Sequence, residues 1–142
     1  MMAFTGNYSS NTLRSGLTNG TINFATGVFK LALYTNTATL DASTAAYTSN
    51  GEATGGNYVA GGQVVTATIS TDATSSGSTT YINFSSPSWT GSITARGALI
   101  YQSGGGNPAV CVLDFGSNKT SSSTFTVQMP QNTASSALIR LT

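Results

Sequence analysis

From Val28 onward the apolar residues of this chain recur mainly at every second position, the spacing of strands with one face on a core. In FKLALYT, Phe29, Leu31 and Leu33 fall on one face and Lys30, Ala32 and Tyr34 on the other, which predicts a half-buried strand. Val65, Ala67 and Ile69 repeat the pattern in QVVTATIS, and Ile82 with Phe84 does so in YINF. TFTVQM alternates most cleanly: Phe125, Val127 and Met129 face inward and Thr124, Thr126 and Gln128 outward. The final run, ALIRL, sets Ala137, Ile139 and Leu141 against Leu138 and Arg140. Two runs break the rule, ITARGALIY (93–101) and AVCVLDF (109–115), which are apolar on both faces. Such strands lie either centrally in a sheet or beneath another subunit.

Helical spacing occurs once, before the strands. In SSNTLRSGLTN, residues 9–19, Leu13 and Leu17 stand at i and i+4 with Ser and Asn available as caps, which predicts a short amphipathic helix. Gly16 counts against it. Between the strands SGGGNP (103–108) fits a hairpin loop and GSNKTSSS (116–123) the next connection. About seven short strands separated by turn signals predict an all-β fold, an antiparallel β-sandwich of jelly-roll or Ig-like kind. The division expected is an N-terminal arm or short helix over 1–24 and a single β-sandwich domain over 25–142. No solenoid or propeller period is present. The long irregular stretch 36–62 is the leading candidate for a contact loop.

Composition sharpens this picture. Charged residues are only 6 % of the 142, with five basic and four acidic side chains, against roughly 25 % in an ordinary soluble domain. Serine, threonine, asparagine and glycine replace them. With 39 % apolar residues the chain can bury a core, and a net charge of +1 creates no field for nucleic acid or an anionic membrane. No basic region precedes a long apolar stretch, and no segment approaches about 20 apolar residues. These features predict a soluble chain without a cleaved secretory signal. The single cysteine, Cys111, reads as a small buried side chain.

Candidate chemistry is sparse. The absence of histidine removes the commonest general base and zinc ligand. Asp41, Glu52, Asp72 and Asp114 are widely spaced and lack the pattern of a calcium loop; a glycosidase pair drawn from them would have to converge across a cleft. A Ser-Lys dyad would need Lys30 or Lys119, and neither sits in a nucleophile motif. No catalytic, cofactor-binding or metal-ligating residue is therefore assigned, no cofactor is expected, and the chain is read as a non-enzyme. The glycine clusters read as turns. Gly61-Gly62-Gln63 matches a tripeptide of peptide release factors, but its place before a strand and the lack of a basic RNA-binding surface make it coincidence.

Trp89 and Tyr34, Tyr47, Tyr58, Tyr81 and Tyr101 suit a core or subunit interface, with a glycan-stacking platform as the alternative. The sequons at Asn7, Asn19, Asn83 and Asn118 are what a chain rich in Ser and Thr produces by chance.

The stretch FKLALYTNTATLDASTAAYTSNGEATGGNYVAGG, with ITARGALIYQS, AVCVLDFGSNKTSSSTFTVQMP and ALIRL, resembles a family of small virion-associated proteins of tailed bacteriophages. The likeness runs from about Leu13 to Leu141 and rests on the combination of ALYT, Tyr58 with Gly61-Gly62, TARGALIY and LDFG. It departs at SNTLRSGLTNG, where the family has a more charged helix. The family is described as phage structural, head-decoration or fibre-like protein, and no catalytic residues come with the likeness.

The resemblance implies a bacteriophage virion structural protein, foremost a capsid decoration or cement protein made in the host bacterial cytoplasm and located on the capsid surface. Its expected partners are the major capsid protein and itself, as a homotrimer or homodimer, with no nucleic acid and no membrane. Shell contact is expected through 1–24 or 36–62, with the β domain still folded after removal of 1–24. The alternative is a tail, fibre or baseplate-associated module that binds host-surface glycan through exposed aromatics, Trp89 among them.

Overall fold

The structure is a computed structural model and describes residues 7–74 and 77–141. In chain order the elements are β1 (Tyr8–Ser9), α1 (Asn11–Asn19), β2 (Phe29–Tyr34), β3 (Gln63–Val65), β4 (Ala67–Thr74) and β5 (Gly77–Phe84). Next come β6 (Ser88–Thr90), β7 (Thr94–Gln102), β8 (Ala109–Thr120), β9 (Thr124–Thr126) and β10 (Ile139–Leu141). The fold is all-β, and every strand pairing is antiparallel. A five-stranded sheet in the order β1-β8-β7-β2-β3 packs in sandwich fashion against a three-stranded sheet, β10-β5-β4, and a two-stranded one, β6-β9.

The alternation in β2 explains how one sheet serves two cores. Phe29, Leu31 and Leu33 enter the main core with Ile82 and Phe84 of β5, Trp89 of β6 and Phe125 of β9. Phe29 lies at ring-centroid distances of 5.1 Å from Phe24 and 5.6 Å from Phe84, offset and edge-on arrangements that suit aromatic quadrupoles. On the opposite face Ala32 and Tyr34 join Leu99, Tyr101, Ala109 and Val112 beneath Ala38 and Leu40 of the 36–62 stretch. The strand expected to be half-buried is thus covered on both sides except near Lys30. Runs 93–101 and 109–115 are doubly apolar for the same reason: β7 is central in its sheet, and this chain supplies both covers.

Two local expectations need correction. QVVTATIS is not one strand: the chain leaves the five-stranded sheet after Val65 and enters the three-stranded sheet at Ala67, which turns Ile69 out to 46 % exposure. GSNKTSSS is not simply a connection, because β8 continues to Thr120. Gly97 pairs with Asp114 and Ala95 with Lys119, so β8 bulges over residues 115–118 and then resumes, with Gly116 at φ +83° and Thr94 Oγ1 2.9 Å from Thr120 Oγ1. Polar side chains do not prevent pairing, since the ladder is built from backbone groups.

The stretch 1–24, read as an arm or short helix, carries the short helix α1. Residues 1–6 lie outside the described residues, and Leu13, Ile22 and Phe24 are core residues. Ser10, fully buried, caps α1 by accepting from Leu13 N at 3.1 Å while its hydroxyl donates to Ala109 O on β8 at 2.6 Å. Gly16, which weakens the helix by propensity, is required by packing: a Cβ there would sit 2.7 Å from Ile22 Cδ1. Removing 1–24 would open the core, so a folded remainder is not expected.

Candidate functional site

The densest polar constellation lies where 36–62 crosses β2 and β7. The stretch is tied to the end of β2 by backbone, with Thr35 N donating to Gly51 O and Ala53 N to Leu33 O, each at 2.8 Å. These bonds place Glu52 opposite Tyr34. The Glu52 carboxylate accepts from Tyr47 Oη at 2.7 Å, from Tyr58 Oη, and from Gly61 N at 2.7 Å. Gly61 O accepts in turn from Tyr101 Oη, and Thr48 O from Tyr34 Oη, each at 2.6 Å. Tyr58 Oη also accepts from Leu33 N at 3.0 Å, and the Tyr47 and Tyr101 rings stack 4.9 Å apart. The next glycine, Gly62 at φ +81°, passes so close over Leu31 O that no Cβ fits.

Four phenols in this cluster, those of Tyr34, Tyr47, Tyr58 and Tyr101, are held above the ordinary tyrosine value, first by burial and then by the negative charge of Glu52. Neutral phenols donate, and two of them with Gly61 N give the carboxylate three donors, one at Oε1 and two at Oε2. The arrangement fastens one segment to another.

The other carboxylates are dispersed. Asp114 lies within β8 rather than at its end, ion-paired with Arg96 of β7, and its Oδ1 also accepts from Gly116 N at 2.8 Å. Asp41 closes its own turn by accepting from Ser43 Oγ and Ser43 N, which holds its carboxyl below the ordinary aspartate value. Asp72 is exposed on β4 opposite Thr79. Among the described residues no three His, Cys, Asp or Glu side chains gather as a metal site. Lys30 and Lys119 lie on β2 and β8, and Cys111 is buried, its thiol pushed up to about 12 by desolvation.

Burial differs among the aromatics named as a core, an interface or a glycan platform. Trp89 is 3 % exposed and packs 5.5 Å from Tyr58, while Tyr34 and Tyr101 are also buried. Tyr47, Tyr58 and Tyr81 are only partly accessible. Of the sequons, Asn83 is buried and donates to Pro130 O at 2.7 Å. The contact loop 36–62 is mostly a cover: its apolar residues and Glu52 point into the protein, leaving tips such as Val59, 70 % exposed, at the surface.

By sequence alone Glu52 reads as a loop carboxylate and the tyrosines as undifferentiated core aromatics. The available signal is a single acid between Tyr47 and Tyr58, in a stretch otherwise almost free of charge.

Compared with family models, curated proteins and solved structures, the chain matches none. The class defined by its own strands is an all-β protein of antiparallel, sandwich-like sheets. Among the described residues no helix is long and apolar enough to cross a membrane.

Proposed function

We propose that this chain is a structural component of a bacteriophage particle, a decoration or cement protein that binds the major capsid protein shell and stabilises it. The observation that carries the reading is the employment of its few ionisable groups. Glu52, Asp114 and Asp41 are engaged in internal contacts, and the outer surface is mostly hydroxyls and amides with a few scattered charges, Arg14, Asp72, Lys119 and Arg140 among them. Such a surface interacts weakly with nucleic acid and gains affinity through many repeated contacts. The likeness of ALYT, TARGALIY and LDFG to virion-associated proteins supports the same reading. The proposal includes self-association as a trimer or dimer, which suits the repeated sites of a symmetric shell.

Quantitative mass spectrometry of purified particles tests the proposal. Hundreds of copies per particle are expected for a decoration protein. A few dozen or fewer would place the chain in the tail, and absence from washed particles would remove it from the virion.

A further inference from the structure

Outside the Glu52 cluster the most developed surface feature is a groove of about 720 Å³ between the two principal sheets. It is lined by residues 7–9, residues 111–113 and residues 138–141, with Leu13, Arg14 and Leu17 of α1 along one side. The lining residues are consecutive in each segment. Residues 111–113 of β8 are paired with β7, and two of them also with β1, whereas residues 138–141 include the whole of β10. β10 is the terminal strand of its sheet, with β5 on its inner side only. Its three residues make an edge about 10 Å long at roughly 3.3 Å per residue. Leu13, Cys111 and Ile139 lie at the apolar base, while Leu17 and Leu141, 36 % and 46 % exposed, stand at the rim.

Charge narrows the occupant. Arg14 and Arg140, two of the five basic residues, both line the groove, and no carboxylate side chain lines it among the described residues. Arg14 donates to Asn11 Oδ1 at 3.1 Å and Ser9 Oγ at 2.9 Å, both neutral acceptors, and among the described residues no carboxylate side chain pairs with it. A second copy of β10 pairing across a two-fold axis through the strand centre would set Arg140 against Arg140, since Arg140 is the middle residue of Ile139–Leu141. Like charges directly opposed disfavour that pairing.

We infer that this groove is a strand-acceptor site for a partner protein: an extended, apolar segment carrying a carboxylate adds to the outer edge of β10. Main-chain hydrogen bonds to β10 hold the segment, alternate apolar side chains fill the base, and Arg14 and Arg140 read the acid. This goes beyond a place on a virion and holds wherever the partner resides.

The test pans a random octapeptide library against the full chain, then titrates the best synthetic peptide by fluorescence anisotropy and maps it by amide chemical shifts. Enriched peptides are expected to alternate valine, isoleucine or leucine with polar residues, to carry Asp or Glu, and to lack internal proline. Shifts should centre on residues 138–141. The joint variant Arg14→Gln, Arg140→Gln, checked for native circular dichroism, should weaken binding about tenfold, and Lys119→Gln should leave it unchanged. No enrichment, peptides indifferent to charge, or full affinity in the joint variant would overturn the inference. So would a concentration-dependent dimer abolished by Leu141→Asp, which would make the occupant a second copy. Binding only after deletion of residues 2–6 would make it the chain's own N-terminus.

Discussion

Replacing Glu52 by alanine removes the acceptor of three donors at once: Tyr47 Oη, Tyr58 Oη and Gly61 N. A hydrogen bond to a charged group contributes about 1.5–3 kcal/mol when desolvated. Glu52 is only half-buried and its contacts share one side chain, so water recovers part of the loss and the three do not add. A cost of about 2–3 kcal/mol is the working figure, which lowers the thermal midpoint by roughly 4–12 °C at about 2–4 °C per kcal/mol. The damage should start locally. The bonds from Ala53 N to Leu33 O and from Thr35 N to Gly51 O depend on 36–62 staying seated, so their amides should exchange faster before the β7 and β8 amides do. Glu52→Gln keeps one carbonyl oxygen and should lose less. Urea unfolding of the three proteins, with hydrogen exchange read by mass spectrometry over 36–62, measures both effects. An alanine variant within about 0.5 kcal/mol of the parent, with protection of 36–62 unchanged, would refute the view that this carboxylate fastens the cover.

Other outcomes rest on the same geometry. Gly16→Ala should destabilise the protein although alanine is the better helix former by about 1 kcal/mol, because the new Cβ meets Ile22 at 2.7 Å; Ile22→Val combined with it should recover part of the loss in a denaturant titration. Trp89→Ala should cost about 3–5 kcal/mol as a core truncation, measured by thermal unfolding, with a folded and equally stable variant contradicting its burial. Stability should fall on the alkaline side. Cys111 is raised from 9.0 to about 12 in the fold, so the unfolded chain gives up the proton first and stability declines from about pH 9 until the folded thiol ionises near 12. Cys111→Ala should flatten that decline, and the four raised tyrosines should add to it above the ordinary phenol value, appearing as phenolate absorbance only as the protein unfolds.

Much of the scaffold could be read from side-chain period alone. β2 and β9 alternate cleanly because each lies between a core and a differently composed opposite face, and α1 shows its inward position at Leu13. Ile69 misled because period two reports that a face exists, not which sheet it joins; the change of sheet at Thr66 is a tertiary event. Residues 116–120 misled because hydroxyl and amide side chains suggest a loop, while their backbone could still close a ladder around a bulge at Gly116. The arm or short helix expected over 1–24 is the helix α1, bound into the core through Ser10, whose hydroxyl reaches a strand 99 positions away, a contact that no local window reveals. The Glu52 cluster was hidden for a related reason. Its members are close in sequence, but Tyr101 and Leu33, which complete it, arrive from two central strands.

The central claim, that the chain serves by presenting surface on a virus particle, is tested most directly by cryo-electron microscopy of intact particles at a resolution that traces strands. The account predicts density for the β1-β8-β7-β2-β3 sheet outside the major capsid shell, repeated with the shell's symmetry, and with Glu52 held against the end of β2 rather than facing a ligand. Particles whose shell carries no such density, or a sheet found only in the tail with a glycan seated on it, would contradict that claim.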